Sequence, residues 1–360
     1  MQLVVGVLVD RYRVRWVLVV AVLMCALGAL SFGASNSYWV AATGRLLQGA
    51  GSAFAFVGAL KLAAIWLPQR HFAKASGMVN CTGFVGAGLS EIFLTKMTNS
   101  IGWQHTLWYL AALGELLAAV ILLTIRLKKS GTATLQHKIN TLRQSIANLG
   151  NAFKQPFVWL AGLYACCLFL PTSVFAALWG IPYIEVAHHY SPTKAATVVS
   201  AIFIGWAIGA AVSGILSDIL RKRALLLRIG ALLACGLSVL LIYDLALPFP
   251  IMWCLFLSFG IVSALQPLAF VVAKDRTKSA HAVGSVIALV NALTMVGGLI
   301  FQRGVGLLMD SDGVTHVVHG VPVYTLLQYQ HALLVIPISL GLGFLVSLMI
   351  KDKLDPRFYG

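Results

Sequence analysis

Charged side chains are scarce in this sequence of 360 residues. Only 10% of the residues are Asp, Glu, Lys or Arg, whereas 59% are hydrophobic, and the mean hydropathy is +0.89. A soluble globule of this length needs more polar surface than these residues supply, so the composition excludes a soluble domain. The sequence therefore predicts a polytopic membrane protein.

Motifs of several enzyme classes are also missing. The chain has no Walker loop, no dinucleotide fingerprint and no His-Glu-x-x-His pattern. Its six cysteines fall inside apolar runs without the spacing of metal ligands, and we interpret them as small hydrophobic side chains. The sequence supports neither ATP hydrolysis nor proteolysis, so we expect a protein that is not an enzyme and that needs no cofactor or metal.

Acidic residues are the rarer charged type, since 11 Asp and Glu stand against 26 Lys and Arg. The cations concentrate in stretches that alternate along the chain, namely 10–15, 67–74, 126–154, 218–228, 274–278 and 351–357. By the positive-inside rule these stretches and the C-terminus lie in the cytoplasm. The expected partner of this charge is therefore the lipid bilayer, and a nucleic-acid role is not expected.

Long apolar runs are what the sequence has in abundance. A helix needs about 20 residues to cross the hydrocarbon core, and ten runs come near or exceed that length: 16–34, 38–66, 74–97, 103–126, 157–184, 194–217, 224–244, 247–273, 280–308 and 325–350. Residues 1–10 are too few for a span, and we expect them to be the end of a partial one.

Two stretches 208 residues apart are nearly the same. They read Gly6-Val-Leu-Val-Asp10-Arg11-Tyr-Arg-Val-Arg15 and Gly214-Ile-Leu-Ser-Asp218-Ile-Leu-Arg221-Lys-Arg223. The shared pattern resembles the loop signature that follows the second helix of each six-helix half in major facilitator superfamily transporters. A second stretch, Gly44-Arg45-Leu-Leu-Gln48-Gly49-Ala-Gly51, resembles that family's Arg-x-x-x-Gly-x-Gly signature.

The repeat continues beyond these loops. A shift of 211 residues places Gly49 on Gly260, Asn80 on Asn291 and Glu91 on Gln302. Repeats that enclose a site at the bilayer midplane are typical of secondary transporters. We therefore predict an all-α polytopic membrane protein with two pseudo-symmetric helix bundles, the major facilitator fold, and ten full spans plus a partial one.

The predicted domains are an incomplete N-terminal bundle at 1–126, a cytoplasmic linker at 127–156 and a C-terminal six-helix bundle at 157–360. The linker has an apolar stripe at steps of three and four residues, which predicts an amphipathic helix. The first half has about fifty residues fewer before its loop signature than the second. We expect a truncated gene model, a fragment or a real deletion.

Polar and aromatic residues inside the runs are the candidate substrate contacts. Arg45, Gln48 and Ser52 lie on one side of a helix, and an arginine at this depth requires water, substrate or a carboxylate. The alternatives are a structural ion pair and a snorkelling side chain. The family resemblance adds Asn80, Trp179, Tyr183, Gln266 and Asn291, for which packing is the alternative to substrate contact.

Two acidic residues inside apolar runs, Glu91 and Glu115, are the candidates for proton coupling. The alternative is a neutral acid that is hydrogen-bonded to a neighbouring helix. The two loop signatures imply gating residues by the resemblance, with glycines that permit close approach: Gly6, Asp10, Arg11, Arg15, Gly214, Asp218, Arg221 and Arg223. Their alternative role is only to fix the topology.

The resemblance implies a monomeric secondary transporter that moves a small organic solute across the bacterial inner membrane by alternating access. We expect proton-coupled uptake, because the segment Gly83-Phe84-Val-Gly86-Ala-Gly88 lacks the Gly-Pro pair of the family's drug antiporters. Arg45 would suit a carboxylate on that solute. The alternatives are a drug or metabolite efflux antiporter and a non-transporting relic or scaffold.

Overall fold

A computed structural model describes residues 14–66, 69–125, 149–220, 222–243, 247–277, 283–311, 313, 316–318 and 321–350. The four helices before the linker are α1 (Val14–Gly33), α2 (Tyr38–Trp66), α3 (Gln69–Ile101) and α4 (Trp103–Thr124). Each coincides with one of the first four apolar runs. The predicted linker helix lies outside the described residues for most of its length, and the division at 127–156 stays a prediction.

The six later runs are helical as well, but three of them are interrupted. Their elements are α5 (Pro156–Leu170), a π-helical stretch (Pro171–Trp179), α6 (Gly180–His188), α7 (Pro192–Leu220), α8 (Arg223–Tyr243), α9 (Phe249–Ser263), α10 (Leu268–Arg276), α11 (Val283–Ser311), α12 (Leu326–Leu333) and α13 (Val335–Met349). Between α11 and α12, two short strands, β1 (His316–Val318) and β2 (Val321–Val323), form an antiparallel hairpin.

Proline explains each of the three interruptions. Pro171, Pro267 and Pro337 lack a backbone N–H, and a proline ring clashes with the carbonyl four residues earlier in an α-helix. Accordingly α9 ends at Ser263 and α12 ends at Leu333, each four residues before its proline. Pro171 instead opens the wider π-helical turn. In hydrocarbon the freed backbone groups require internal partners.

Among the described residues, eight helical segments are long and apolar enough to cross a bilayer. Helices satisfy their backbone groups within one segment, which is why apolar runs of this length fold this way. Contacts divide the described residues into two compact units. The first holds residues 14–83 and 93–125, and the second holds residues 84–92 and those from 149 onward.

In the first unit, small residues allow α1 and α2 to approach closely. A Cβ atom added to Gly44 would lie 2.8 Å from the carbonyl oxygen of Gly28, and one on Gly51 would overlap the Ala21 carbonyl. Close approach through small residues is the usual way in which membrane helices gain packing energy.

In the second unit, two buried tyrosines connect α5 and α6 to α8 by hydrogen bonds. Tyr164 donates its hydroxyl to the carbonyl of Leu227 at 2.8 Å, and Tyr183 donates to the carbonyl of Ile242. Helices α7 and α9 meet backbone to backbone at Gly205 and Gly260. These contacts give the second unit one continuous apolar core.

Candidate functional site

The π-helical stretch in the second unit is the most irregular part of a described span. Pro171 cannot donate a backbone hydrogen bond, and the chain continues in wider turns until Gly180, whose N–H donates to the carbonyl of Phe175 five residues earlier. Widened turns of this kind occur mostly at functional sites. The break therefore locates a candidate site near Thr172 to Trp179.

One face of α11 packs along this stretch. Gly298, Gln302 and Gly306 recur every four residues, so they lie on the same side of the helix. The Gln302 side chain donates to the carbonyl of Ser173, and the Trp179 indole donates to the Gln302 carbonyl at 3.2 Å. The break is thus held to a neighbouring helix by two hydrogen bonds, one donated by each side.

Three buried polar side chains in the second unit have unpaired atoms. Thr172 Oγ1, Trp206 Nε1 and Ser263 Oγ have no hydrogen-bond partner among the described residues. A buried polar atom without a partner costs about 1–3 kcal/mol. These atoms are therefore the ones that gain most from water or from a polar group of a solute.

Trp206 also belongs to an aromatic cluster. Its ring stacks on that of Phe84, with centroids 4.8 Å apart and planes 20° apart. The ring of Phe169 stands edge-on to it at 6.1 Å. Trp206 is only 2% exposed, so a solute with a hydrogen-bond acceptor can reach its indole N–H only when neighbouring helices move.

The structure places the predicted residues of the second unit in different surroundings. Trp179 is half-buried and bonded to α11. Tyr183 is fully buried with its hydroxyl bonded to Ile242, so it offers no surface to a solute and the packing alternative is favoured. Gln266 is buried in the turn between α9 and α10, and Asn291 is half-buried on α11.

In the first unit, the side chains of Arg45 and Gln48 are in contact. The Arg45 guanidinium lies 4.5 Å from the centroid of the Phe32 ring and donates to Gln48 Oε1 at 3.5 Å. No carboxylate among the described residues pairs with it. Ser52 is exposed and bonds only to the carbonyl of Gly49. The side chain of Asn80 lies outside the described residues.

The two candidate coupling acids differ in burial. Glu91 is half-buried in the segment 84–92, whereas Glu115 is exposed on α4. Within the described part of the chain, no hydrogen bond or ion pair reaches Glu91. A carboxylate inside a membrane span without a partner is costly when charged, which favours Glu91 over Glu115 as a group that changes protonation.

Five of the eight predicted gating residues fall in parts of the chain that the structure leaves undescribed, in whole or in their side chains. Gly6, Asp10, Arg11 and Arg221, together with the side chain of Asp218, lie outside the described residues. Arg15 is half-buried, with its guanidinium carbon 5.6 Å from the centroid of the Trp16 ring.

The remaining two gating candidates lie in the second unit. Arg223 donates to Ser217 Oγ at 3.2 Å and forms an ion pair with Asp275. These contacts join the start of α8 to the ends of α7 and α10. Gly214 is exposed, and no heavy atom of the described residues lies within 4 Å of where its Cβ would be. The close approach expected there stays a prediction.

Sequence reasoning missed Gln302, Trp206 and Thr172 as site residues. The sequence did contain an indication for Gln302, because the repeat aligns this residue with the candidate coupling acid Glu91. It contained none for Trp206 and Thr172, since an apolar run gives no indication of which tryptophan or threonine is left without a partner. Only packing decides which polar atoms are buried and unpaired.

Comparison with known proteins decides the family. The sequence model described as Major Facilitator Superfamily matches residues 1–302 of the chain. The chain belongs to the major facilitator superfamily. This membership confirms the family and fold predicted from the duplicated signature.

The sequence identity between this chain and individual members of the superfamily is low. The putative transporter AraJ of Escherichia coli is 27% identical over 218 residues, which cover 59% of this chain and 52% of that protein. The probable 4-methylmuconolactone transporter of Cupriavidus pinatubonensis is 25% identical over 225 residues, covering 62% and 52%. The chain thus spans about half the length of these curated relatives. Proteins named as efflux pumps are also among the relatives matched.

A solved structure shows the same fold. The inward-facing, unoccupied crystal structure of a bacterial homologue of the human lysosomal transporter Spinster superposes with a TM-score of 0.73 at 16% identity. The match covers 99% of this chain and 88% of that one. At this identity the likeness establishes the major facilitator fold alone.

Proposed function

We propose that the protein is a secondary transporter that moves a small organic solute by alternating access, as a monomer in the bacterial inner membrane with a cytoplasmic C-terminus. The observation that carries the proposal is the set of unpaired polar atoms beside a broken span. Thr172 Oγ1, Trp206 Nε1 and Ser263 Oγ are buried and have no hydrogen-bond partner in the described part of the chain. Keeping such atoms in a membrane protein is costly unless a solute or water uses them in part of a cycle.

The proposed solute is a small organic anion. Arg45 has no described carboxylate beside it, and a cation over an aromatic ring can still accept an anion from its open side. A relative named as a 4-methylmuconolactone transporter supports a small oxygenated solute of this kind.

Uptake coupled to protons is the proposed direction and energy source, with Glu91 as the coupling group. A half-buried carboxylate with no described partner is stable in the span when it is protonated and costly when it is charged. Its protonation can therefore be linked to the conformation of the carrier. Efflux remains the competing direction, because relatives named as efflux pumps match part of the chain.

Reconstitution into proteoliposomes tests the transport activity. A panel of radiolabelled aromatic carboxylates, lactone acids and sugar acids is offered with an imposed inward pH gradient, and we expect accumulation that an uncoupler abolishes. Solute loss driven by the same gradient would establish efflux instead. No flux of any panel member in either direction would favour the non-transporting scaffold.

Arg45→Gln tests the anion. With an anionic solute we expect the KM to rise at least tenfold, since a lost charge-assisted hydrogen bond is worth about 1.5–3 kcal/mol. Lys96→Gln is the control, because Lys96 is an exposed cation in the same unit. Equal KM values for the wild type and Arg45→Gln would remove Arg45 from the site.

Glu91→Gln tests the coupling. The neutral amide mimics the protonated acid, so we expect accumulation to be lost while exchange of labelled for unlabelled solute continues. Glu115→Gln is the matched control, because that acid is exposed. Unchanged accumulation in Glu91→Gln, or its loss in Glu115→Gln, would reverse the assignment.

A further inference from the structure

A groove opens on the second unit where α5 begins. Its volume is about 680 Å³. Trp159, Leu163 and Cys166 of α5 form its floor, Leu293 of α11 and Met349 of α13 contribute to its sides, and Lys154 lies at one end. The groove is separate from the unpaired atoms Thr172 Oγ1, Trp206 Nε1 and Ser263 Oγ, because none of those residues lines it.

The walls are apolar and open to the outside of the unit. Trp159 is 44% exposed, Leu163 41% and Met349 63%. The lining residues on α5 extend from Pro156 to Cys166, a rise of about 15 Å along the helix. This length is half of the hydrocarbon core of about 30 Å, so the groove matches one leaflet of a bilayer.

The residues at the mouth place it at the surface of the membrane. The Trp159 indole donates to the carbonyl of Phe153 at 2.8 Å, and a tryptophan with one polar bond and an apolar ring is typical of the interface. Pro156 is the first residue of α5, and the preceding Gln155 makes no side-chain cap. The first-turn N–H groups therefore add partial positive charge at this end.

Positive charges outnumber negative ones near this end in the sequence. Residues 126–154 contain six Lys and Arg and no Asp or Glu. Lys154 itself is exposed at the groove. Basic clusters beside a span attract anionic lipid headgroups.

We propose that this groove binds an anionic phospholipid, with one acyl chain along α5 and the headgroup phosphate at Lys154. The apolar walls match the chain, and the cations match the phosphate. The bound lipid bridges α11 and α13 across α5, the helix that leads into the π-helical stretch. The inference concerns a lipid site and does not depend on the identity of the transported solute.

Native mass spectrometry of the purified protein tests this site. The protein is titrated with phosphatidylglycerol or with phosphatidylcholine of the same acyl chains. We expect the first bound phosphatidylglycerol to be retained about fivefold more tightly, the ratio that corresponds to about 1 kcal/mol for one basic residue at the surface. Lys154→Gln should remove the preference, and Lys96→Gln should keep it.

A second variant tests the chain-binding walls. Leu163→Trp fills the groove from an exposed position, so retention of both lipids should fall, whereas Leu232→Trp at an exposed position on α8 should change neither. Equal retention of the two lipids by the wild type, or unchanged retention in Leu163→Trp, overturns the proposal. A third outcome also overturns it. If lipid is retained only by a variant that lacks residues 130–145, the preceding loop, and not a lipid, occupies the groove of the wild type.

Discussion

Replacing Gly260 by alanine tests the packing of the second unit directly. A Cβ atom at this position would lie 2.9 Å from the carbonyl carbon of Ile202 and 3.0 Å from the Cα of Gly205. Both neighbours are backbone atoms of α7, which cannot rotate aside as a side chain can. We therefore expect α7 and α9 to separate, and the unit to lose stability.

The size of the effect follows from these distances. Restoring ordinary van der Waals contact requires a separation of roughly 0.5–1 Å, and a gap of that size forfeits a quarter to a half of the dispersion energy of each atom pair. Overpacking of this kind costs about 1–3 kcal/mol. A glycine-to-alanine change in an open helix has the opposite sign, a gain of about 0.5–1 kcal/mol.

Two control variants separate the two effects. Among the described residues, no heavy atom lies within 4 Å of the Cβ position of Gly236 on α8 or of Gly49 on α2. We expect Gly236→Ala and Gly49→Ala to be as stable as the wild type or more stable in detergent, measured by tryptophan fluorescence during thermal unfolding. The reasoning is refuted if Gly260→Ala unfolds at the same temperature as these two variants.

Three further predictions concern single hydrogen bonds. Tyr183→Phe should cost about 0.5–1.5 kcal/mol of stability while transport kinetics stay unchanged; a changed KM would return Tyr183 to the solute site. Gln302→Leu should cost a similar amount by removing the donor to the Ser173 carbonyl, and wild-type unfolding would contradict this bond. Burial and then the carboxylate of Asp310, which accepts the hydroxyl proton, raise the pKa of Tyr324 to about 12. The stabilisation that comes from neutral Tyr324 is present below the ordinary tyrosine pKa of about 10 and is lost as the pH rises through about 12. In Asp310→Asn the tyrosinate absorbance of Tyr324 should appear at a lower pH. An unchanged titration of Tyr324 would refute the contact.

Much of the helical architecture could be predicted from the sequence, because a bilayer leaves an apolar run few choices. Every predicted run coincides with helix in the described residues, since helices satisfy their own backbone groups. The interruption after Leu170 was predictable from Pro171. Its π-helical form was not, because it depends on Gln302 and Trp179, which are 123 residues apart.

The repeat shows where sequence reasoning stops. Gly49 and Gly260 are equivalent by the shift of 211 residues, yet one faces open space and the other meets the backbone of α7. Tyr183 and Trp179 are both aromatic and four residues apart, yet one is fully buried and the other half-buried. Equivalent positions in a pattern need not have equivalent neighbours.

By itself the sequence determined the membrane class, the superfamily and the positions of the helices. These depend on composition, on run length and on a duplicated signature, all of which are local or additive along the chain. Only the tertiary structure decided which polar atoms are buried without partners, which glycines contact backbone, and where an apolar groove opens beside Lys154. Those properties arise between helices distant in sequence, and the pattern along one helix does not contain the packing of another.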